Sequence, residues 1–369
     1  MFCLVFCYSR AVWGRIIIAV MERAVYRIID ANFNRGREAI RVVEDYCRFA
    51  LNSAPLTERA KQLRHELSGA IDKLDAGRLI ASRDTPGDVG VGQRVDKQLQ
   101  RADLRDSFTA GCKRLTEALR TLAEVTQAIN PEVAEAIEKL RYIAYTLEKD
   151  IIFFGEPAEK FKRVRLYVII TCSLPAEVIS LTYKCVAGGA DCIQLRAKDA
   201  KDDKLFALAL EFVQICKGGS VLSIINDRAD IAVSAGADGI HLGQNDLPIQ
   251  QVRKLALTPL IIGKSTHSPE QLETTCKEAP TYVSLGPVFA TKTKPTAEPV
   301  GPEYVRESIE KLADSGIGHV AIGGITPGNV EKVLDTGAET IAVCAAVTEA
   351  ADPTAACRAL KEKITAFKK

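Results

Sequence analysis

Two carboxylates placed to hold a hard cation stand nineteen positions apart, at Asp227 and Asp246. Each closes a short apolar run, Ser223-Ile-Ile-Asn-Asp227 and Gly239-Ile-His-Leu-Gly-Gln-Asn-Asp246. Runs of this length bounded by Gly and Asp read as buried parallel strands. Carboxylates at the C-terminal ends of neighbouring strands would meet at one mouth, where Mg2+ could sit beside a substrate phosphate. Taken singly, each is equally well a helix or turn cap. Further polar groups close the other runs. They are Gln194-Leu195-Arg196-Ala197-Lys198, Asn226, Ser265 and His267 in Gly263-Lys-Ser-Thr-His, Thr291-Lys292-Thr293-Lys294, Gly323-Gly324 and Cys344-Ala345-Ala346. Alternation puts Gln194, Arg196 and Lys198 on one face. Acids, cations and hydroxyls on one rim suit a diphosphate neutralised by magnesium with Lys and Arg. Gly323-Gly324 suits a second phosphate held by backbone N–H groups. The Thr-Lys run alone could be a solvated loop, and the glycines alone a turn. Seven strand ends carrying such groups exceed what solvation explains. Nothing pairs a serine or cysteine with a base as a nucleophile, and a lone His267 is more often structural.

The elements that must carry these residues follow from periodicity. Eight strands are expected: Leu166–Ile170, Cys192–Leu195, Val221–Ile225, Gly239–Leu242, Leu260–Gly263, Tyr282–Leu285, Val320–Ile322 and Thr340–Val343. Helical stretches such as Pro175–Ala187, Asp203–Lys217, Pro248–Lys254, Pro269–Lys277 and Pro302–Ala313 separate them. Eight β/α units predict a (β/α)8 barrel over 163–369. Residues 21–155 have helical spacing instead, at Ala39–Phe49, Leu56–Leu74, Leu104–Ile129 and Val133–Ile151, and predict a smaller all-α domain. A polar segment, 156–162, is the expected linker. Residues 1–20 carry apolar runs interrupted by Arg10 and Arg15, and are expected to be a disordered or mis-assigned extension.

Composition bounds the rest. The 369 residues, 47% hydrophobic and 26% charged, suit two globular domains. A net charge of +2 gives no reason to expect nucleic acid. No apolar run reaches the ~18 residues of a membrane span. Eleven cysteines without a CxxC pair argue against zinc or a disulfide framework, and for reduced thiols in the cytoplasm. The expected partners are small molecules, with assembly into a homo-oligomer.

On QLRAK, Asn226-Asp227, HLGQ with Asp246, KSTH, TKTK and AIGGI, residues 163–369 resemble the thiamine-phosphate synthase family. That family joins hydroxymethylpyrimidine diphosphate to a thiazole phosphate and releases pyrophosphate. The resemblance implies that Gln194 to Lys198, Asn226, Ser265 and Lys294 bind the pyrimidine diphosphate, and that Asp227 and Asp246 hold Mg2+. Thr291, Lys292, Thr293, Gly324 and the Cys344-Ala345 backbone would bind the thiazole phosphate. The family often has Ile or Val and then Ser at those last two positions.

The helical half resembles the small domain often fused ahead of this synthase, through Ile29-Asp-Ala-Asn-Phe-Asn-Arg-Gly-Arg37, Leu63-Arg-His-Glu-Leu67, Ser82-Arg-Asp-Thr-Pro-Gly-Asp-Val-Gly90 and Lys113-Arg-Leu-Thr-Glu-Ala-Leu-Arg120. That resemblance implies phosphorylation of the pyrimidine monophosphate, with ATP and magnesium. Arg35, Arg37, Arg83, Lys113 and Arg114 are candidate phosphate ligands, or else solvated helix positions. The alternatives are a thiazole tautomerase-like barrel, and a helical half that serves only for oligomerisation or regulation. The group Arg196, Lys198, Asp227 and Lys294 argues against the tautomerase, which need not handle a diphosphate.

Overall fold

The computed structural model describes residues 2–93, 100–171, 174–291 and 298–367, with side chains from Val20 onward. The chain divides into two compact units, Met1–Ile151 and Ile152–Lys369.

The first unit is helical: α1 (Phe2–Asp45), a π-helical turn (Tyr46–Ala50), α2 (Ala54–Ile71), α3 (Ala76–Ala81), α4 (Leu104–Thr126) and most of α5 (Pro131–Phe161). Asp75 and Asp103 cap α3 and α4 by accepting from the backbone N–H of Arg78 and Asp106, which satisfies donors that a helix start leaves open. Fully buried Ile29, Ile40, Leu63, Leu67, Leu119, Leu122 and Ile137 form the core, each contributing roughly 1.5–3 kcal/mol by leaving water. Glycines let the helices approach closely. A Cβ at Gly111 of α4 would stand 3.2 Å from Val42 of α1, and one at Gly36 3.3 Å from Leu67 of α2.

Two expectations are corrected here. Residues 2–20 are helical, the first part of α1. The segment has no proline and a single glycine, Gly14, so little in it stops a helix. Residues 156–161, expected to be a linker, are the end of α5, with Pro157 inside the helix. An interior proline costs about 3 kcal/mol. Against that, Ala158, Glu159 and Lys160 are good helix formers, and Phe161 is buried at the floor of the barrel.

The second unit is a closed parallel barrel in the order β1 to β8. Its strands are β1 (Leu166–Ile170), β2 (Cys192–Leu195), β3 (Leu222–Asn226), β4 (Gly239–Leu242), β5 (Ile261–Thr266), β6 (Tyr282–Leu285), β7 (Gly318–Ile322) and β8 (Ile341–Val343). Between and after them run α6 (Pro175–Ala187), α7 (Asp202–Gly218), α8 (Ala229–Ser234), α9 (Ile249–Leu255), α10 (Pro269–Lys277), α11 (Gly301–Leu312), α12 (Val330–Leu334), α13 (Ala345–Thr348) and α14 (Pro353–Ala366). The interior is filled by Phe161, Tyr167, Ile169, Cys192, Ile224, Ile261, Tyr282, Val320 and Ala342. Phe161 stacks on Tyr282 with ring centroids 4.2 Å apart. Gly263 makes room for that tyrosine, since a Cβ there would lie 2.1 Å from Tyr282 Cζ.

The described cysteines are free. Cys47, Cys112, Cys185, Cys192, Cys216 and Cys357 are buried, whereas Cys276 and Cys344 are partly exposed. Burial pushes the Cys47 and Cys216 thiols up to about 12. Among the described residues no helix is long and apolar enough to cross a membrane.

Candidate active site

The parallel strands all end at one face of the barrel, and the chemistry-bearing residues converge there. Asp227 follows the last residue of β3 with φ at 61°, a left-handed conformation that Asp and Asn accept more readily than most residues. Its N–H donates to the carbonyl of His241 at 2.8 Å. Its Oδ2 lies 3.3 Å from Lys198 Nζ. Asp246, in the loop after β4, accepts from the N–H of Gly243. The two carboxyls meet. Burial first, and the Asp246 carboxylate second, hold the Asp227 carboxyl above its usual range, with Lys198 opposing.

Two carboxylates brought together at half burial repel one another, and a dication relieves that repulsion. The donor set therefore fits Mg2+. Among the described residues no cluster of three or more His, Cys, Asp or Glu could hold a metal. Mg2+ commonly takes one or two carboxylates and completes its shell with water and substrate phosphate oxygens.

Beside the acids, Ser265 ends up inside β5 rather than in the following loop, because the strand runs to Thr266. Its Oγ lies 2.9 Å from His241 Nε2 and accepts from Ser284 Oγ at 3.5 Å. Its carbonyl accepts from Gln244 Nε2. Lys264 faces the opposite way, pairing with Glu278 at 3.1 Å, so it braces β5 and takes no part in the mouth. Gln194 points inward and is 2% exposed. Its Nε2 donates to Tyr167 Oη at 3.0 Å. Leu195 is buried, whereas Arg196 and Ala197 are partly exposed and Lys198 is exposed. Asn226 pairs in register with His241 across β3 and β4. His267 donates from Nδ1 to the Gly286 carbonyl, a structural role.

Gly323 and Gly324 follow β7 with φ at 104° and 63°. A Cβ at Gly324 would lie 2.5 Å from the carbonyl of Ala290, and one at Gly323 2.4 Å from Pro287 Cβ. Only glycine meets both the backbone and the packing there. Cys344 precedes α13, which begins at Ala345, and its Sγ is 3.6 Å from Thr171 Oγ1. Thr291 is partly exposed. Lys292, Thr293 and Lys294 lie outside the described residues.

In the helical unit Arg83 spends its guanidinium fork on Asp30, at 2.7 and 2.8 Å. It is an ion-pair partner there rather than an open phosphate ligand. Arg35, Arg37, Lys113 and Arg114 are exposed on α1 and α4, with Arg37 over the Phe33 ring. Sequence reasoning missed Glu44, which is 2% exposed and held by Arg64 at 3.1 Å and Arg41 at 3.5 Å. It also missed His241 near the end of β4, and Tyr167 and Tyr282 in the barrel interior beneath it. The residue types of His241 and the tyrosines, inside otherwise apolar strands, were the available signal.

Fold and site together define a closed (β/α)8 barrel with charged and polar groups gathered at the C-terminal ends of its strands. A family model for thiamine monophosphate synthase matches residues 166–347, and one for the ThiD2 family matches residues 27–150. The thiamine-phosphate synthase of Rhodopirellula baltica is 40% identical over 88% of this chain and 89% of its own length. That of Synechocystis sp. is 37% identical, covering 90% and 94%. The solved thiamine phosphate pyrophosphorylase from Pyrococcus furiosus is 32% identical, with a TM-score of 0.51, over 57% of this chain and 98% of that one. The chain belongs to the thiamine-phosphate synthase family, with a ThiD2-family unit ahead of the barrel.

Proposed function

We propose that the barrel joins hydroxymethylpyrimidine diphosphate to a thiazole phosphate, forming thiamine phosphate and releasing pyrophosphate. The observation that carries this is the meeting of Asp227, Asp246 and Lys198 on the rim that also holds Ser265 and Gln194. Asp227 and Asp246 would hold Mg2+, which would supply positive charge to the diphosphate. Arg196, Lys198 and Lys294 add to that charge, while Gln194, Asn226 and Ser265 position the pyrimidine diphosphate. Gly324, Thr291 and the backbone at Cys344 and Ala345 take the thiazole phosphate.

The C–O bond to the diphosphate breaks with its electron pair leaving on pyrophosphate. The thiazole nitrogen then supplies the pair for the new C–N bond. No protein nucleophile is needed, because the aminopyrimidine itself stabilises the cation at its methylene carbon. The protein's contribution is alignment and charge stabilisation. The helical unit uses ATP and Mg2+ to convert the pyrimidine monophosphate to the diphosphate, with its basic α1 and α4 positions as phosphate contacts. Free, mostly buried thiols support a cytoplasmic setting, and homo-oligomerisation remains part of this reading.

The test uses the purified full chain. With diphosphate, thiazole phosphate and magnesium it should release pyrophosphate and thiamine phosphate in equal amounts. Chelating the magnesium should lower the rate by at least about 10²-fold, since a bound metal supplies several kcal/mol of charge stabilisation. Monophosphate with ATP should replace the diphosphate. Product from diphosphate alone would leave the helical unit non-catalytic, and no pyrophosphate at all would favour the tautomerase.

A further inference from the structure

Inside the barrel a chain of side-chain hydrogen bonds runs to Ser265. Gln194 Nε2 donates to Tyr167 Oη at 3.0 Å, and Tyr167 Oη lies 2.9 Å from Tyr282 Oη. Tyr282 Oη is 3.0 Å from His241 Nδ1, and His241 Nε2 is 2.9 Å from Ser265 Oγ. These residues sit on β2, β1, β6, β4 and β5. A phenylalanine would fill either tyrosine position without bringing a hydroxyl that must be satisfied in a dry interior. Two hydroxyls facing each other in a barrel core therefore call for a purpose beyond packing.

We propose that this chain is a positioning relay that fixes the tautomer of His241 and thereby aims the Ser265 hydroxyl hydrogen at the departing diphosphate. In the relay each hydroxyl accepts on one side and donates on the other. The Gln194 amide NH2 can only donate, so Tyr167 accepts there, and in the relay the Tyr167 hydrogen goes on to Tyr282. Tyr282 then passes its hydrogen to a bare His241 Nδ1. A neutral imidazole then carries its hydrogen on Nε2 and donates it to Ser265 Oγ. Ser284 Oγ approaches the same oxygen from β6 at 3.5 Å. With its lone pairs engaged, Ser265 turns its O–H out of the network. Burial pushes ionisation of both tyrosines well above the ordinary range, which keeps each a neutral O–H donor. Tyr167, Tyr282 and His241 act only through Ser265, and the purpose of that aim rests on the diphosphate-releasing reaction proposed above. The reverse polarity would turn the Ser265 hydrogen inward to His241, with Nδ1 donating to Tyr282 and the Tyr167 hydrogen turned away from Tyr282.

The test is the side-chain nitrogen NMR spectrum of the full chain labelled with 15N-histidine. The chain has four histidines, and His241→Asn identifies the resonances of that residue. The expected wild-type spectrum shows His241 protonated at Nε2. Tyr282→Phe, which removes one oxygen, should give a mixture of tautomers. The same variant should lower the single-turnover rate of pyrophosphate release about tenfold, the effect of one misdirected hydrogen bond, with little change in diphosphate KM. Tyr167→Phe should have a smaller effect, because Tyr282 can still donate to His241. A wild-type His241 protonated at Nδ1 overturns the relay, as does a folded Tyr282→Phe with unchanged tautomer and rate. The wild-type spectrum is read without substrate. It therefore judges the relay even if the chain released no pyrophosphate, an outcome that would instead overturn the reaction assigned to the barrel.

Discussion

Asp227→Asn is expected to slow pyrophosphate release by about 10²–10³-fold, the usual cost of losing one charge-stabilising group, while the barrel stays folded. Asparagine is the informative replacement. It accepts the left-handed backbone found at this position, φ 61°, as few other residues do, so loss of the charge is not confounded with strain. Asp246→Ala should act in the same direction but also removes the acceptor for the Gly243 N–H. The pH dependence has a definite sign. Burial and Asp246 raise the Asp227 carboxyl above its usual range, so a proton competes with Mg2+ for it. The magnesium concentration giving half-maximal rate should therefore rise as pH falls through that raised value, and this component should vanish in Asp227→Asn. Rates across magnesium titrations at several pH values decide the matter. A folded variant with wild-type titrations would remove Asp227 from the metal site.

Gly263→Ala is expected to lower stability strongly. Its Cβ would fall 2.1 Å from Cζ and 2.4 Å from Oη of Tyr282. That ring cannot easily move, being stacked on Phe161 and bonded to Tyr167 and His241. Overpacking of this kind costs typically ~1–3 kcal/mol, and the upper end applies where the neighbour is pinned on three sides. At roughly 2–4 °C per kcal/mol for a unit of this size, Tm should drop by about 6–12 °C. Trimming the tyrosine to phenylalanine should not restore it, because the closest atom is a ring carbon, whereas Tyr282→Leu in the same chain should. Thermal melts of the three variants check this, and a wild-type Tm for Gly263→Ala would mean that the interior is looser than the packing indicates.

The barrel was legible because parallel strands buried on both sides leave continuous apolar runs. The expected bounds for β1, β2, β4 and β6 are those observed. β5 was read three residues short, since Lys264, Ser265 and Thr266 look like the start of a loop. In the structure Ser265 and Thr266 pair with Ser284 and Leu285. The rim residues could be named but not all oriented, and Lys264 faces out to Glu278. The tyrosine–histidine chain was hidden for a different reason. Tyr167 and Tyr282 are 115 positions apart, and nothing local marks which hydroxyl faces which. Arg83 in the helical unit shows the same limit, its charge being committed to Asp30 across 53 positions.

The placement of thiols gives the molecule a chemical gauge of its own. A buried thiol reacts with an alkylating reagent only when the surrounding structure opens, so its labelling rate measures local opening rather than turnover. Cys192 and Cys216 would report on the barrel in this way, and Cys47 and Cys112 on the helical unit. Cys344 differs, being partly exposed where β8 meets α13, beside the place proposed for the thiazole phosphate. Read peptide by peptide, its alkylation would follow occupancy of that subsite with no reaction taking place, while the buried cysteines verify that the fold has stayed closed.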